Sequence, residues 1–402
     1  MSVSRIATRV RRIKPSPSTS AADRANELRR QGKSIVSLVV GEPDFDTPAH
    51  IRKAAAQAMD QGATRYTLMA GTIELRQAIA AKLERDSGLS YTLSEIFATA
   101  GAKSAIYSAL AATLEPGDEV IIPAPYWVSY PDMTLACDGK PVVVTCPEDH
   151  GFKLTAAQLE AAITPRTRWL LINSPSNPTG ASYTRAEYRA LADVLVRNPH
   201  VLVMTDDIYE HIRFDGQLTT HFLQAAPELR ERTLVVNSLS KTYAMTGWRI
   251  GYVAGPRDLV QALDTLLSQS AGNCCSISQA AAVAALTGDQ SFVTESVAVY
   301  KRRRDVTLAL INAIPGLSCR APDGAFYLYV GCPGLIGKRT ADGTVLQQDG
   351  DVVMYLLNRV GVAVVAGTAY GLSPYFRLST ATSIENLEEG CRRIASAVAE
   401  LR

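Results

Sequence analysis

The feature that most constrains this chain is a recurrence of short, β-branched apolar runs, each followed by a polar or glycine-rich turn and then by helical sequence. Ala98 to Tyr130 reads as strand, glycine turn, helix, PGDE turn and strand, a βαβ unit. Val142 to Thr145, Trp169 to Asn173, Val201 to Thr205 and Thr233 to Val236 repeat the theme. Strands that alternate with helices and are apolar on both faces belong in a mostly parallel sheet covered by helices. The pattern predicts an α/β fold with a large domain over 48–295. Beyond it the character changes. Val293 to Ile314 reads as one long helix carrying the basic run Lys301 to Arg304, and Gly324 to Val330 and Phe376 to Ser379 read as strands of a smaller α+β unit built from 1–47 and 296–402.

The amino end is less regular. SRIATRVRRIKPSPSTS has the arginine- and serine-rich, acid-free composition of a transit peptide, but its proline-rich end, Lys14 to Ser18, reads as a stiff extended arm of the mature protein. Ala21 to Gln31 follows as a helix with Ser20 as N-cap, and Val36 to Val40 as a short strand running into the shaped loop GEPDFDTP, Gly41 to Pro48. A loop at Arg65 to Gly71 exposes Tyr66, and Glu74 to Asp86 is an amphipathic helix.

Composition removes several classes of function. With 41 basic and 39 acidic residues the net charge is +2, which gives no support for a nucleic-acid or membrane-surface partner. No apolar run approaches the roughly 18 residues of a membrane span. Seven scattered cysteines without CxxC spacing, and five histidines without a ligand pattern, point to reduced thiols in a cytoplasmic protein and to no metal site.

The chemistry collects where strands end, which is where an open parallel sheet binds its ligands. SLSKTYAMTGWRIGY, Ser238 to Tyr252, places Lys241 just past a buried strand, with an amine suited to a Schiff base, and adds Ser238, Ser240 and Arg249 as three donors suited to a phosphate. Gly101, Ala102 and Lys103 open a helix whose first N–H groups cradle an anion. This is not a Walker loop, because Ile96 stands where its first glycine belongs, and no GxGxxG follows a strand. INSPSNPTG presents Asn177 from a proline-held turn, and MTDDIYEH offers Asp206 and, three positions on, Tyr209. Taken singly, Asp206 is a cap, Asn177 a turn-former and Trp127 a core residue. Jointly they match the needs of pyridoxal phosphate: an amine for its aldehyde (Lys241), an acid for its ring nitrogen (Asp206), donors to its phenolic oxygen (Asn177, Tyr209), a stacking surface (Trp127) and a phosphate cup (Gly101, Ala102, Ser238, Ser240, Arg249).

On these motifs the chain resembles the fold-type I, class I pyridoxal-phosphate aminotransferases, and within them the bacterial aspartate and prephenate aminotransferase subgroup. The resemblance runs from KPSPS through GEPDFDTP, PAPYWVSYP, NSPSNPTG, DDIYEH, SKTYAMTGWRIGY and GAFYLY to FRLSTATS. It implies a mostly parallel seven-stranded sheet in the large domain, and a homodimer in which Tyr66 reaches the phosphate of the neighbouring subunit. It further implies that Arg377 takes the substrate α-carboxylate, that Gly41, Trp127, Asn177 and Phe326 line the substrate side, and that Lys14, Ser16, Ser18 and Lys103 receive a second carboxylate. Lys241, freed from the cofactor by the incoming amine, becomes the base that moves the Cα proton, and a 2-oxo acid such as 2-oxoglutarate or oxaloacetate takes the amino group from an aspartate- or glutamate-like donor in a ping-pong cycle. Lys103 reads equally as a solvated helix-end lysine.

The chain departs from the family pattern at Ile73, Asp207, Ala271, Cys274 and Ala280, where proline, glutamate, threonine, proline and tryptophan are usual. Three other readings stay open on the same scaffold: an aminotransferase for prephenate, arogenate, aromatic or specialised amino acids; a β-lyase; and a non-catalytic regulator that keeps the cofactor.

Overall fold

The structure, a computed structural model, describes residues 5–217 and 219–402. Its centre is a seven-stranded sheet. In chain order the strands are β1 (Ile96–Thr99), β2 (Glu119–Ala124), β3 (Lys140–Thr145), β4 (Thr167–Asn173), β5 (Leu202–Asp206), β6 (Thr233–Ser238) and β7 (Gly251–Ala254). They lie side by side as β1-β7-β6-β5-β4-β2-β3. β7 runs antiparallel to both neighbours and the other pairs are parallel. The apolar runs are two-faced, as a helix-covered sheet requires. Val120, Ile122, Trp169 and Leu171 pack into one core with Ile106 and Leu110, whereas Ile121, Leu170 and Ile172 pack into another with Ile79, Leu83 and Leu191.

Five helices position the site: α1 (Pro17–Arg30), α2 (Ile73–Ser87), α3 (Ala102–Thr113), α4 (Ser276–Thr287) and α5 (Ser291–Asn312). A second sheet follows, three antiparallel strands β8 (Tyr327–Gly331), β9 (Val365–Ala366) and β10 (Tyr375–Ser379) in the order β9-β10-β8. Leu328, Val330, Phe376 and Leu378 face a core shared with Val36, Leu38, Leu356 and Ile394. Side chains alternate along a strand, so Tyr327, Tyr329 and Arg377 are turned to the opposite face.

Three local expectations need correcting. The arm through Ser18 is not extended to its end: Ser16 occupies the N-cap of α1 and Pro17 its first turn, where a fixed φ suits the helix and the missing N–H costs nothing. Ser20 is therefore inside the helix. The strand expected over Val36 to Val40 pairs only at Val36 and Ser37, against Val362 and Ala363; past it, the Leu38 and Val39 carbonyls accept from Ser379 N and the Arg377 guanidinium instead. The βαβ unit holds as strand, helix α3 and strand, but four strands separate β1 from β2. β7 escaped the sequence reading because Gly251 to Ala254 adjoins the polar lysine turn.

Candidate active site

A cavity of about 430 Å³ opens at the carboxyl ends of β4, β5 and β6 and is closed from the other side by α1, the Gly41 loop, Tyr327 and Arg377. That volume lies within the range of small-ligand pockets, roughly 300–1,000 Å³. Lys241 lies three residues past β6, and its ammonium donates to the Gly41 carbonyl at 2.6 Å. Burial, with Arg377 and Arg249 close by, lowers its proton affinity from 10.5 to about 8 against the opposing pull of Glu42 and Asp206. Asp206 ends β5. Its Oδ2 accepts from the Tyr130 hydroxyl at 2.6 Å, and its Oδ1 is buried without a partner. Desolvation, with the neighbouring charge of Asp207, raises this carboxyl from 3.8 to about 6 despite the Tyr130 bond.

Arg377, 2 % exposed, stacks over Tyr327 at 4.4 Å and Tyr370 at 5.2 Å. It donates to Asn177 Oδ1 at 3.0 Å and to the Val39 carbonyl, while its Nε has no partner. Tyr209 and Tyr327 share a hydrogen bond of 2.8 Å. At the other end of the cavity Gly101 precedes α3 with φ +89°, and a Cβ there would meet Arg249 Nη2 at 2.7 Å. Only glycine lets the guanidinium approach the helix start, where unpaired N–H groups and the macrodipole favour an anion. Arg249 itself is held by the Thr246 and Ala100 carbonyls at 2.8 and 3.2 Å.

Lys241, Asp206, Tyr209, Asn177, Ala102, Lys103, Trp127, Ser240, Arg249, Gly41, Arg377, Ser16 and Ser18 thus face one cavity. Lys103 stands over the Trp127 ring at 4.9 Å. Five expected residues do not line it. Gly101 lies beneath the Arg249 guanidinium. Ser238 is buried with its hydroxyl donated to the Ile250 carbonyl at 2.8 Å, so its role is to hold the turn. Phe326 packs behind Tyr209 and Tyr300, because strand alternation turns the next residue, Tyr327, into the cavity. Lys14 is exposed outside it, its backbone N–H donated to Asp132 at 3.1 Å. Tyr66 is 96 % exposed on its loop. Sequence reasoning had missed Tyr130, Tyr327, Asn173, Glu42 and Thr246; alternation in GAFYLY was the available signal for Tyr327. The unusual positions Ile73, Asp207, Ala271, Cys274 and Ala280 lie off the cavity, and Asp207 Oδ2 accepts from Thr205 Oγ1 at 2.9 Å and lies 2.8 Å from His221 Nε2.

Residues 33–394 match the family model described as aminotransferase class I and II. The chain belongs to that family. It is similar to the aspartate aminotransferase of Rhizobium meliloti strain 1021, 51% identical over 391 residues, 97% of this chain and 95% of the relative. It is also 51% identical over 390 residues to the aspartate/prephenate aminotransferase of Cereibacter sphaeroides, covering 97% and 98%. The crystal structure of an aspartate aminotransferase from Rhizobium meliloti superposes with a TM-score of 0.97 at 50% identity, covering 100% of both chains. The protein is therefore a pyridoxal-phosphate-dependent aminotransferase with the fold of that family. The residues present fit the cofactor on their own terms. The orphaned Asp206 Oδ1 is an acceptor awaiting a cationic ring N–H, and the Gly101 turn with Arg249 is a cradle for a phosphate.

Proposed function

We propose that the chain is a cytoplasmic homodimer that passes the amino group of an aspartate- or glutamate-like donor to a 2-oxo acid, 2-oxoglutarate or oxaloacetate, with Lys241 as the Schiff-base lysine. The observation that carries this is the convergence of a deprotonatable amine, Lys241, an unpartnered carboxylate oxygen, Asp206 Oδ1, and a buried arginine with a free Nε, Arg377, on one cavity. Pyridoxal phosphate, when bound, supplies an aldehyde for the amine and a protonated ring that draws electrons from substrate Cα.

The chain's own residues supply the rest. Arg377 presents its planar fork to the α-carboxylate, with Asn177 and two tyrosine faces fixing its plane. Lys241, neutral in about one molecule in ten at pH 7 for a pKa near 8, is roughly 300-fold richer in free amine than at 10.5. It would move the Cα proton to the cofactor carbon that the amino nitrogen joins, so that the nitrogen stays with the cofactor when the 2-oxo acid leaves. Asp206 holds the ring proton, and Tyr130 keeps its carboxylate oriented. Ser240 and Arg249, with the first N–H groups of α3, hold the phosphate. The exposed Tyr66 supports a homodimer in which it completes the partner's phosphate site. Lys103, Ser16 and Ser18 support a second substrate carboxylate. A second reading, prephenate as acceptor, is favoured by the similarity to the Cereibacter sphaeroides enzyme of that name.

The test is a panel of donors, aspartate, glutamate, arogenate and aromatic amino acids among them, added to purified enzyme while the cofactor's absorbance is followed. Aspartate or glutamate should convert the aldehyde form of the cofactor to its amine form, and a 2-oxo acid should reverse it. A spectrum that no donor moves refutes transamination. Release of ammonia or a thiol without an acceptor would instead identify a β-lyase.

A further inference from the structure

Outside the cavity a charged cluster is buried against the elements that build it. Lys82, on α2, is 2 % exposed. Its ammonium is bonded to Glu210 and lies 3.6 Å from Asp86 Oδ2. Glu210 also accepts from Asn237 Nδ2, and Asn237 Oδ1 in turn accepts from Ser238 N at 2.7 Å. Asp86 accepts from His211 Nε2 at 3.0 Å and from Arg85 Nε at 2.7 Å. His211 Nδ1 lies 3.4 Å from the Thr242 hydroxyl and 3.7 Å from Glu210 Oε1. None of Lys82, Asp86, Glu210, His211, Asn237 and Thr242 lines the cavity.

The positions of these contacts along the chain are what matter. Glu210 directly follows Tyr209; Asn237 holds the amide of Ser238 at the end of β6; Thr242 directly follows Lys241. One buried cluster thereby grips the backbone beside two residues that line the cavity, Tyr209 and Lys241, and at the end of β6, in two segments that leave the sheet separately. A buried ion pair is weak grounds for stability, because apolar residues of like volume often serve the fold as well; its best-attested use is to fix register. We propose that Lys82 is a positioning residue for the aminotransferase reaction: through Glu210 and Asp86 it sets the relative placement of the turns that carry Tyr209 and Lys241. This rests on the reading of Lys241 as the amine that carries the cofactor.

The holoenzyme tests it with the charge-neutral pair Lys82→Met/Glu210→Gln, in which the glutamine still accepts from Asn237. The expected result is an unchanged or higher Tm, cofactor affinity and kcat each lowered on the order of tenfold, and KM for the donor changed by less than about threefold. Lys82→Arg should restore kcat to within about threefold. A double variant that folds and keeps cofactor affinity and kcat within about twofold of wild type overturns the proposal. If it fails to fold, Thr242→Val and His211→Gln decide: either one lowering kcat with Tm maintained supports the proposal, and both leaving kcat unchanged overturns it. Cofactor affinity, read from the bound chromophore, separates this inference from the reading of function. An affinity that falls in the variant while no donor is turned over by wild type leaves the positioning intact and sinks the transamination.

Discussion

Asp206→Asn should stabilise the cofactor-free protein while disabling the loaded enzyme. In the folded protein the Asp206 carboxyl titrates near 6 instead of 3.8 because it is buried with one oxygen unpartnered. At about 1.36 kcal/mol per pKa unit, that rise corresponds to a penalty on the order of 3 kcal/mol for holding the carboxylate ionised. The sign follows from the direction of the shift. Below about pH 3 the group is neutral in both folded and unfolded chains and the penalty is absent; it accrues between about pH 4, where the unfolded chain ionises, and about pH 6, where the folded one follows, and is complete by about pH 7. Asparagine carries no charge and retains an acceptor for Tyr130. The apoprotein variant should therefore exceed wild type by less than about 1 °C in Tm at pH 4 and by roughly 3–4 °C at pH 8, given the unfolding entropy expected for 402 residues. With pyridoxal phosphate bound the order reverses, because the cationic ring nitrogen loses its counter-charge, and turnover should fall by at least about a hundredfold. Thermal melts of both apoproteins from pH 4 to 8, beside steady-state transamination assays, are the measurement. A Tm difference that does not change with pH, or normal turnover in the variant, refutes the account of Asp206.

Three further outcomes are expected. Arg377→Lys replaces a planar fork with a point donor, and losing one charge-assisted bond of about 1.5–3 kcal/mol should lower kcat/KM about 10- to 100-fold; parallel kinetics with wild type would check it, and an unchanged kcat/KM would remove Arg377 from the carboxylate site. In Gly41→Ala the new Cβ would lie 2.7 Å from the Tyr327 hydroxyl, forcing that ring away from Tyr209, so KM should rise with Tm nearly unchanged. Glu42→Gln removes a carboxylate that supports the protonated form of Lys241, so the pH midpoint for amine labelling of Lys241 in the apoprotein should move to lower pH; a midpoint that stays or rises would contradict the assigned field.

Much of this protein was determined by its sequence alone. Apolar runs such as Trp169 to Asn173, bounded by turn residues, are local signals of a two-faced strand, and they announce a helix-covered sheet whatever neighbours they acquire. The residues that meet the ligand's chemistry were legible for a related reason: Lys241, Asp206 and Asn177 each stand just past or at a strand end, and strand ends on one edge of a parallel sheet converge. Tertiary structure alone decided which neighbour completes each hydrogen bond. It turned Tyr327 instead of Phe326 into the cavity, turned Ser238 to the Ile250 carbonyl, left Lys14 outside, set Tyr130 against Asp206 and ran β7 against its neighbours. It also gathered Lys82 from α2 with Glu210 and His211, more than a hundred positions along the chain, into one buried cluster. Periodicity reports which face of an element is buried; it carries no information about the partner across the gap, because long-range pairing is set by the packing of all the layers at once.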